Sequence, residues 1–245
     1  MHLLLVDDDP MSRDLISMLL QMEGHSTTAV EDGEAALAAL RSGQSKPEVV
    51  LTDMQMPGIT GSQLAAELRK LAGPEVLIFG MSATQPAKLD GFDGFLLKPF
   101  DGAQFTSALE KVKAGGDVPS SASQSATTAS SLSEDIFAKL SSSMPPAALR
   151  QLFEVCLGDA QQRIGRMKAA LAATDDALFR KEAHAIKGSC AMLGATGLAG
   201  LASTMEASGI GDDSGASLQD FLLACKRLED ILLTRLRAED GSTVV

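Results

Sequence analysis

Short apolar runs alternate with amphipathic segments along the first part of the chain, and this alternation predicts strands and helices in turn. The clearest apolar runs cover residues 3–6, 49–51, 76–79 and 95–97, with a weaker strand at about 25–30. Segments with helical spacing of apolar residues cover 10–22, 34–40, 62–71 and 103–113. Near-continuous apolar strands that alternate with helices are typical of a parallel sheet covered on both faces.

The pattern changes after residue 114. Residues 115–131 read GGDVPSSASQSATTASS, which is too poor in large apolar residues to form a core. We assign a flexible Ser/Ala/Thr-rich linker to 115–132. Beyond it we find only helical spacing, with predicted helices at 145–173, 175–193, 197–207 and 217–237. The chain is therefore predicted to contain two domains, an α/β domain at 1–114 and an all-α bundle at 133–240.

Charge and composition restrict the functions that these domains can have. The formal net charge of -11 argues against a sequence-independent grip on nucleic acid, which needs clustered Lys and Arg. No apolar run approaches the roughly eighteen residues of a membrane span. The three cysteines, Cys156, Cys190 and Cys225, lie in apolar helical contexts, so we expect buried free thiols and a cytoplasmic protein.

Carboxylates follow two strands of the predicted sheet. Asp7, Asp8 and Asp9 come directly after the first strand, and Asp53 follows the third. In an open parallel sheet these strand ends meet at the crevice that usually houses function. Like charges gathered there raise one another's pKa unless a cation compensates, and Mg²⁺ favours a few carboxylates with water and phosphate oxygens. A solvated acidic turn is the alternative for the three consecutive aspartates.

Further motifs occur at the other strand ends. The chain has VDD at 6–8, D-x-x-M-P-x-x-x-G at 53–61, Ser82-Ala83, and Lys98-Pro99-Phe100, in this order. Together they resemble the response-regulator receiver family over residues 1–114. This resemblance implies a flavodoxin-like, doubly wound five-stranded parallel sheet with strand order 2-1-3-4-5.

The resemblance also implies roles for individual residues. Asp53 is the expected phosphoacceptor, and Ser82 and Lys98 are expected to donate hydrogen bonds to the phosphoryl group. The expected Mg²⁺ ligands are Asp8, Asp53, the backbone carbonyl of Gln55 and, through water, Asp7. Negative charge that develops during phosphoryl transfer needs such a metal ion and such donors.

Three further expectations concern the end of this domain. Only 15 residues separate Ser82 from Lys98, so we expect the helix between the fourth and fifth strands to be short or missing, and signalling through its face to differ. Phe95 stands where the family often has a rotating aromatic switch, although a core strand residue fits the position equally well. The family also implies a cis Lys98–Pro99 bond.

His184 lies within the predicted helix at 175–193. On a helical wheel it projects nearly opposite an apolar face of Phe179, Ala183, Ile186, Cys190 and Leu193. We therefore expect an exposed imidazole on a surface of small residues, one of which is Gly188. Lys187, three residues beyond the histidine, can reach a phosphate on the ring.

The segment AHAIKGSCAMLGA at 183–195 resembles the histidine-phosphotransfer (HPt) family, in which Lys-Gly follows the histidine at the third and fourth positions. The resemblance extends over about 133–240 and implies a four-helix bundle. It implies phosphorylation of His184, with Lys187 and Arg180 stabilising the phosphoryl group and Gly188 giving room.

Together these motifs favour a phosphorelay intermediate. No glycine-rich ATP site is present in the sequence, so a sensor histidine kinase is expected to load Asp53, and His184 is expected to pass phosphate to or from a receiver domain, in the same chain or in a partner. Other receiver or HPt domains are the further expected partners. The chain would not be an ATP-dependent enzyme. One alternative is a regulatory binding module in which Asp53 phosphorylation changes contacts and His184 carries no flux. A haloacid-dehalogenase-type phosphatase is a second alternative, which leaves the Lys98-Pro99-Phe100 motif unexplained.

Overall fold

The computed structural model describes residues 1–82, 86, 88–98, 100–114 and 131–239, with side chains up to residue 236. The chain divides into two compact units, Met1–Ser125 and Ala126–Val245. Ala83, Pro99 and positions 115–130 lie outside the described residues, and with them the predicted cis peptide and most of the predicted linker.

The first unit is the predicted doubly wound sheet. Its strands are β1 (His2–Val6), β2 (Ser26–Val30), β3 (Val49–Asp53), β4 (Leu77–Ser82) and β5 (Gly94–Leu97). They are parallel and follow the order β2-β1-β3-β4-β5, which confirms the predicted fold. Its helices are α1 (Pro10–Met22), α2 (Gly33–Arg41), α3 (Gly61–Ala72) and α4 (Gly102–Lys113).

Both faces of this sheet are buried, as the continuous apolar strands require. On one face Leu4, Val50 and Ile78 pack with apolar residues of α2 and α3. On the other face Phe79 of β4 meets Phe105 of α4 with ring centroids 6.2 Å apart. Burial on both faces holds the strands in register, so the carboxyl ends of β1, β3 and β5 come to lie at one edge.

The connection between β4 and β5 lacks the usual helix in its described residues, as the short spacing predicted. Its glycine, Gly91, has a φ of 87°, and a Cβ there would lie 3.2 Å from the Cβ of Ala65, so this connection packs directly on α3. Asp93 then joins the connection to the sheet: its carboxylate accepts from the Ile78 N–H at 2.6 Å and pairs with Arg69.

The second unit is helical. Its helices are α5 (Glu134–Ser143), α6 (Pro146–Ala173), α7 (Asp176–Met192), α8 (Thr196–Ser208) and α9 (Ser214–Glu239). The four longer helices form the expected bundle, since α6 and α8 each contact both α7 and α9. We did not predict α5. None of the helices in the described part combines the length and apolarity that a membrane crossing needs.

The start of the helical unit lies earlier than predicted. Leu132, which we assigned to the linker, is only 1% exposed. On either side of it, the Ser131 carbonyl accepts from the Gly197 N–H at 3.4 Å and the Ser133 N–H donates to the Gly194 carbonyl at 2.7 Å. These contacts tie the segment to the turn between α7 and α8.

Candidate functional sites

An acidic pocket lies at the carboxyl edge of the sheet. Asp7 and Asp8 follow β1, Asp53 ends the neighbouring strand β3, and one carboxylate oxygen of each lies within 4.8 Å of the others. Asp7 and Asp53 are buried, whereas Asp8 is partly exposed. The structure thus brings together the three carboxylates that the sequence suggested.

Lys98, directly after β5, bridges two of these carboxylates. Its Nζ lies 2.7 Å from Asp7 Oδ2 and 2.7 Å from Asp53 Oδ2. Burial lowers the pKa of the ammonium, but the two carboxylates outweigh burial and leave the pKa raised. Lys98 is therefore a protonated hydrogen-bond donor in contact with Asp53.

Backbone N–H groups fix the other oxygens of the pocket. Asp53 Oδ1 accepts from the Gln55 N–H at 2.7 Å, and Asp7 Oδ1 accepts from the Asp9 N–H at 2.9 Å. The Asp9 side chain points elsewhere, because it caps α1 by accepting from the Ser12 N–H at 2.8 Å. The third aspartate of the run thus has a structural role, and the Gln55 carbonyl remains a predicted ligand.

Two residues of this pocket were missed from the sequence. The Ser12 hydroxyl donates to Asp7 Oδ2 at 2.7 Å, and Arg13 Nη1 donates to the Asp7 carbonyl at 2.6 Å. Both lie in the first turn of α1, which begins immediately after the acidic run. That position was the available signal, since a helix start places its first side chains beside the preceding strand end.

The charges and donor atoms of the pocket fit a divalent cation. Asp7, Asp8 and Asp53 contribute three negative charges, and the Lys98 ammonium, which contacts two of these side chains, contributes one positive charge. Carboxylate oxygens are the ligand type that Mg²⁺ prefers. A divalent ion would offset the excess of negative charge on these three carboxylates.

Ser82 and Phe95 occupy the ends of the neighbouring strands. Ser82 is buried at the end of β4, and its carbonyl accepts from the Lys98 N–H at 2.7 Å. Phe95 is buried in β5 opposite Gly80. The buried ring fits the core-residue alternative for Phe95, and the phosphoryl-binding role of Ser82 remains a prediction.

His184 is partly exposed on α7, with 32% of its side chain accessible. Its Nδ1 lies 2.6 Å from Oε1 of Glu206, a residue of α8 that we did not single out from the sequence. Lys187, the predicted phosphate partner, contacts the same carboxylate: its Nζ lies 3.0 Å from Glu206 Oε2. The imidazole therefore does not stand alone on its surface but belongs to a three-residue cluster.

Glu206 determines the tautomer of this histidine. Burial raises the pKa of the Glu206 carboxyl. Hydrogen bonds from His184 and Lys187 lower this pKa by more than burial raises it, so the net pKa lies below its usual value. An ionised carboxylate can only accept, so His184 Nδ1 carries the proton. In the neutral ring Nε2 then holds the free lone pair.

Two other predicted contributors to this site have different surroundings. A Cβ on Gly188 would meet no atom within 4 Å, so the helix surface beside His184 is open. Arg180 was expected near the phosphoryl group, but its guanidinium donates to Asp176 and to the carbonyls of residues 206–208 at the end of α8. It therefore joins two helices, because unsatisfied carboxyl-terminal carbonyls attract a cation.

An ionic network around the buried Glu182 links α7 to α6, two residues before the histidine. Glu182 accepts from Arg166 Nε at 2.8 Å and from Arg166 Nη2 at 3.0 Å, and Arg163 lies 3.3 Å away. Such a paired network resists rotation of the helix, because turning Glu182 away would leave a buried charge unpaired.

The three cysteines are free and buried, as expected. A hydrogen bond with Cys156 and burial raise the pKa of the Cys190 thiol well above its usual value, and burial raises the pKa of Cys225 to about 12. The Cys190 and Cys225 thiols therefore stay protonated at neutral pH and are poor nucleophiles.

Comparison with known protein families finds one match in each of the two units. Residues 3–110 match the response regulator receiver domain and residues 151–239 match the Hpt domain. The chain is therefore a fusion of a receiver domain with an Hpt domain, two modules of two-component phosphorelay.

Response regulators are among the proteins that this chain is similar to. The positive alginate biosynthesis regulatory protein of Pseudomonas aeruginosa is 35% identical over 118 residues, which cover 45% of this chain and 46% of that protein. The DNA-binding response regulator MtrA of Mycolicibacterium smegmatis is 34% identical over 103 residues, which cover 40% of this chain and 44% of that protein. The matched segment thus spans slightly under half of each relative. The crystal structure of response regulator TrrA from Thermotoga maritima, in complex with Mg²⁺-BeF, aligns with 30% identity and a TM-score of 0.41, over 45% of this chain and 97% of that one.

Proposed function

We propose that the chain is a cytoplasmic phosphorelay intermediate. A partner histidine kinase loads Asp53, and His184 passes phosphate to or from a receiver domain. The observation that carries this proposal is the presence of two differently built nucleophiles in one chain. Asp53 is buried and contacts a protonated Lys98, whereas His184 is accessible and oriented by Glu206. The net charge of -11 favours such protein partners over nucleic acid.

The receiver step is a displacement at phosphorus. A carboxylate oxygen of Asp53 forms the new O–P bond while the N–P bond to the kinase histidine breaks, and that nitrogen takes the electron pair. When bound, Mg²⁺ would be held by Asp7, Asp8, Asp53 and the Gln55 carbonyl, and it would neutralise phosphoryl oxygens. The Lys98 ammonium and the Ser82 hydroxyl donate to those oxygens as negative charge develops.

The histidine step uses the free lone pair of Nε2. This nitrogen attacks the phosphorus of an aspartyl phosphate, the P–O bond breaks, and the carboxylate leaves with the electron pair. Because Nδ1 keeps its proton, the ring becomes cationic, and the Glu206 carboxylate stabilises that charge. Lys187 can turn from Glu206 to a phosphoryl oxygen, and Gly188 leaves room for the partner.

A regulatory binding module is the second candidate. In that case Asp53 phosphorylation alters contacts with a partner, and His184 carries no flux. The feature that favours it is the β4–β5 connection, whose described residues form no helix and pack on α3. A receiver with this connection signals through a surface that differs from the usual one.

A phosphotransfer assay separates these two functions. The full chain is incubated with Mg²⁺ and with radiolabelled phosphorylated kinases or receivers, and the label is tested for stability. Acyl phosphate on aspartate is lost in base, whereas phosphohistidine is lost in acid and survives base. Base-stable label supports the relay. Label that is base-labile with every donor tested supports the regulatory module.

Glu206→Gln is expected to slow phosphorylation of His184 about tenfold, because a charge-assisted hydrogen bond of roughly 1.5 kcal/mol is lost as the ring becomes cationic. The rate of base-stable labelling by a phosphorylated receiver measures this effect. Glu154→Gln, an exposed change on α6, is the matched control. A Glu206→Gln rate equal to that of the control would contradict the role given to Glu206.

The lowered pKa of Glu206 predicts a pH dependence of stability, which Glu206→Gln can test. Since the folded pKa of Glu206 lies below its ordinary 4.5, its stabilising contribution is present above 4.5 and is lost as the pH falls through the folded pKa. The free energy of unfolding of the wild type should exceed that of Glu206→Gln at neutral pH, and this gap should close in acid. Urea unfolding at a series of pH values tests it. A difference in unfolding free energy that widens below pH 4.5 would contradict the lowered pKa of Glu206.

A further inference from the structure

Ser12 is a buried polar residue of the acidic pocket that the proposed mechanism does not use. Its side chain lies in the first turn of α1, and the residue is 8% exposed. The hydroxyl donates to Asp7 Oδ2 at 2.7 Å, and its oxygen lies 3.5 Å from Lys98 Nζ. It thus contacts both an expected cation-binding carboxylate and the ammonium that competes with the cation.

Asp7 and Asp53 depend on Lys98 to different degrees. Lys98 donates to Oδ2 of both, but Asp7 Oδ2 also accepts from Ser12, and Asp7 Oδ1 accepts from the Asp9 N–H. When Lys98 turns toward a phosphoryl group, Asp7 therefore keeps two donors that hold its carboxylate in place. Without the hydroxyl, Asp7 Oδ2 would rely on the ammonium, and an incoming cation would have to displace a more tightly held lysine.

We infer that Ser12 is a positioning residue for the divalent-cation site. Its hydroxyl sets the affinity of the site for the cation but does not change the rate of the phosphoryl step once the cation is bound. This inference rests on the proposed function, because it presupposes that Asp7, Asp8 and Asp53 hold Mg²⁺.

Calorimetric titration of the full chain with MgCl₂ tests the affinity directly. The chain has neither Trp nor Tyr, so heat is a better signal than intrinsic fluorescence. Ser12→Ala should bind Mg²⁺ about three- to tenfold more weakly, the effect of one lost hydrogen bond. The Mg²⁺ affinity of Ser12→Cys should lie between those of the wild type and Ser12→Ala, because a thiol is a weak hydrogen-bond donor. Ser17→Ala, on the same helix, is the matched control and should equal the wild type.

A kinetic measurement distinguishes positioning from a general structural defect. With a small acyl phosphate as donor, the Mg²⁺ concentration for half-maximal labelling of Asp53 should rise by the same factor in Ser12→Ala. The rate at saturating Mg²⁺ should stay within about twofold of the wild type. Slower labelling at saturating Mg²⁺ with unchanged affinity would overturn the inference.

The outcomes also separate this inference from the proposed function. Equal Mg²⁺ affinity in wild type and Ser12→Ala overturns the role of Ser12 alone. A wild-type chain that binds no Mg²⁺ overturns both. If Ser12→Ala shows no cooperative thermal melt, Ser12→Cys carries the comparison, and an affinity equal to that of the wild type then decides against the inference.

Discussion

Asp53→Asn should reduce labelling of the receiver domain by a phosphorylated kinase more than about a hundredfold, because a neutral amide does not replace the carboxylate nucleophile. The change keeps the shape of the side chain and an oxygen that can accept from the Gln55 N–H. It removes the charge that pairs with Lys98 at 2.7 Å. Base-labile label, measured over the first minutes with Mg²⁺ present, reports the result.

Asp90→Asn provides the control for this experiment, since Asp90 is an exposed aspartate of the same domain. Its labelling should match that of the wild type. Thermal melts of both variants establish that the domain is folded. Base-labile label on Asp53→Asn at more than a tenth of the control level would place the phosphoacceptor elsewhere.

His184→Gln should abolish base-stable label, again by more than about a hundredfold, because the amide has no nucleophilic nitrogen lone pair. Glutamine has a similar length, and its amide N–H can still donate to Glu206, so the cluster on α7 and α8 should remain folded. Base-labile label on Asp53 should persist. Incubation with a phosphorylated receiver, followed by alkaline treatment and gel autoradiography, measures the loss.

A histidine outside the helical unit supplies the control. His2→Gln changes a histidine of the receiver domain that contacts Ser26 and Ser45, far along the chain from the helical site. Base-stable label should survive in this variant. Its survival in His184→Gln, or its disappearance in His2→Gln, would contradict the assignment of phosphohistidine to residue 184.

The receiver pocket was largely predictable because its parts lie at strand ends. Sheet topology alone brings Asp7 beside Asp53, and the motif order identified Lys98. The pattern could not distinguish Asp9 from its neighbours, because a helix cap and a cation ligand both use a carboxylate in the same loop. Apolar spacing predicted the bounds of α1 correctly but could not show that the Ser12 hydroxyl reaches Asp7, because that contact depends on the direction of one polar side chain.

The histidine site was predictable only as far as one helix extends. A helical wheel places His184 and Lys187 correctly on α7 but contains no information about the residues that a neighbouring helix contributes. Glu206 is 22 residues away in sequence and reaches the imidazole only through packing of α8 on α7. The same limit explains why the contacts of Arg180 were not predicted, since its partners include carbonyls at the end of α8.

The burial of Leu132 determines where an autonomous Hpt fragment can be cut. A polypeptide that starts at Glu134 would lose this side chain together with the Ser133 N–H bond to Gly194. Full burial of a leucine is worth roughly 2 kcal/mol, a large share of the stability of a small domain. Truncation at residue 131 or earlier would retain both contacts, so any dissection of the two activities on separate polypeptides should begin there.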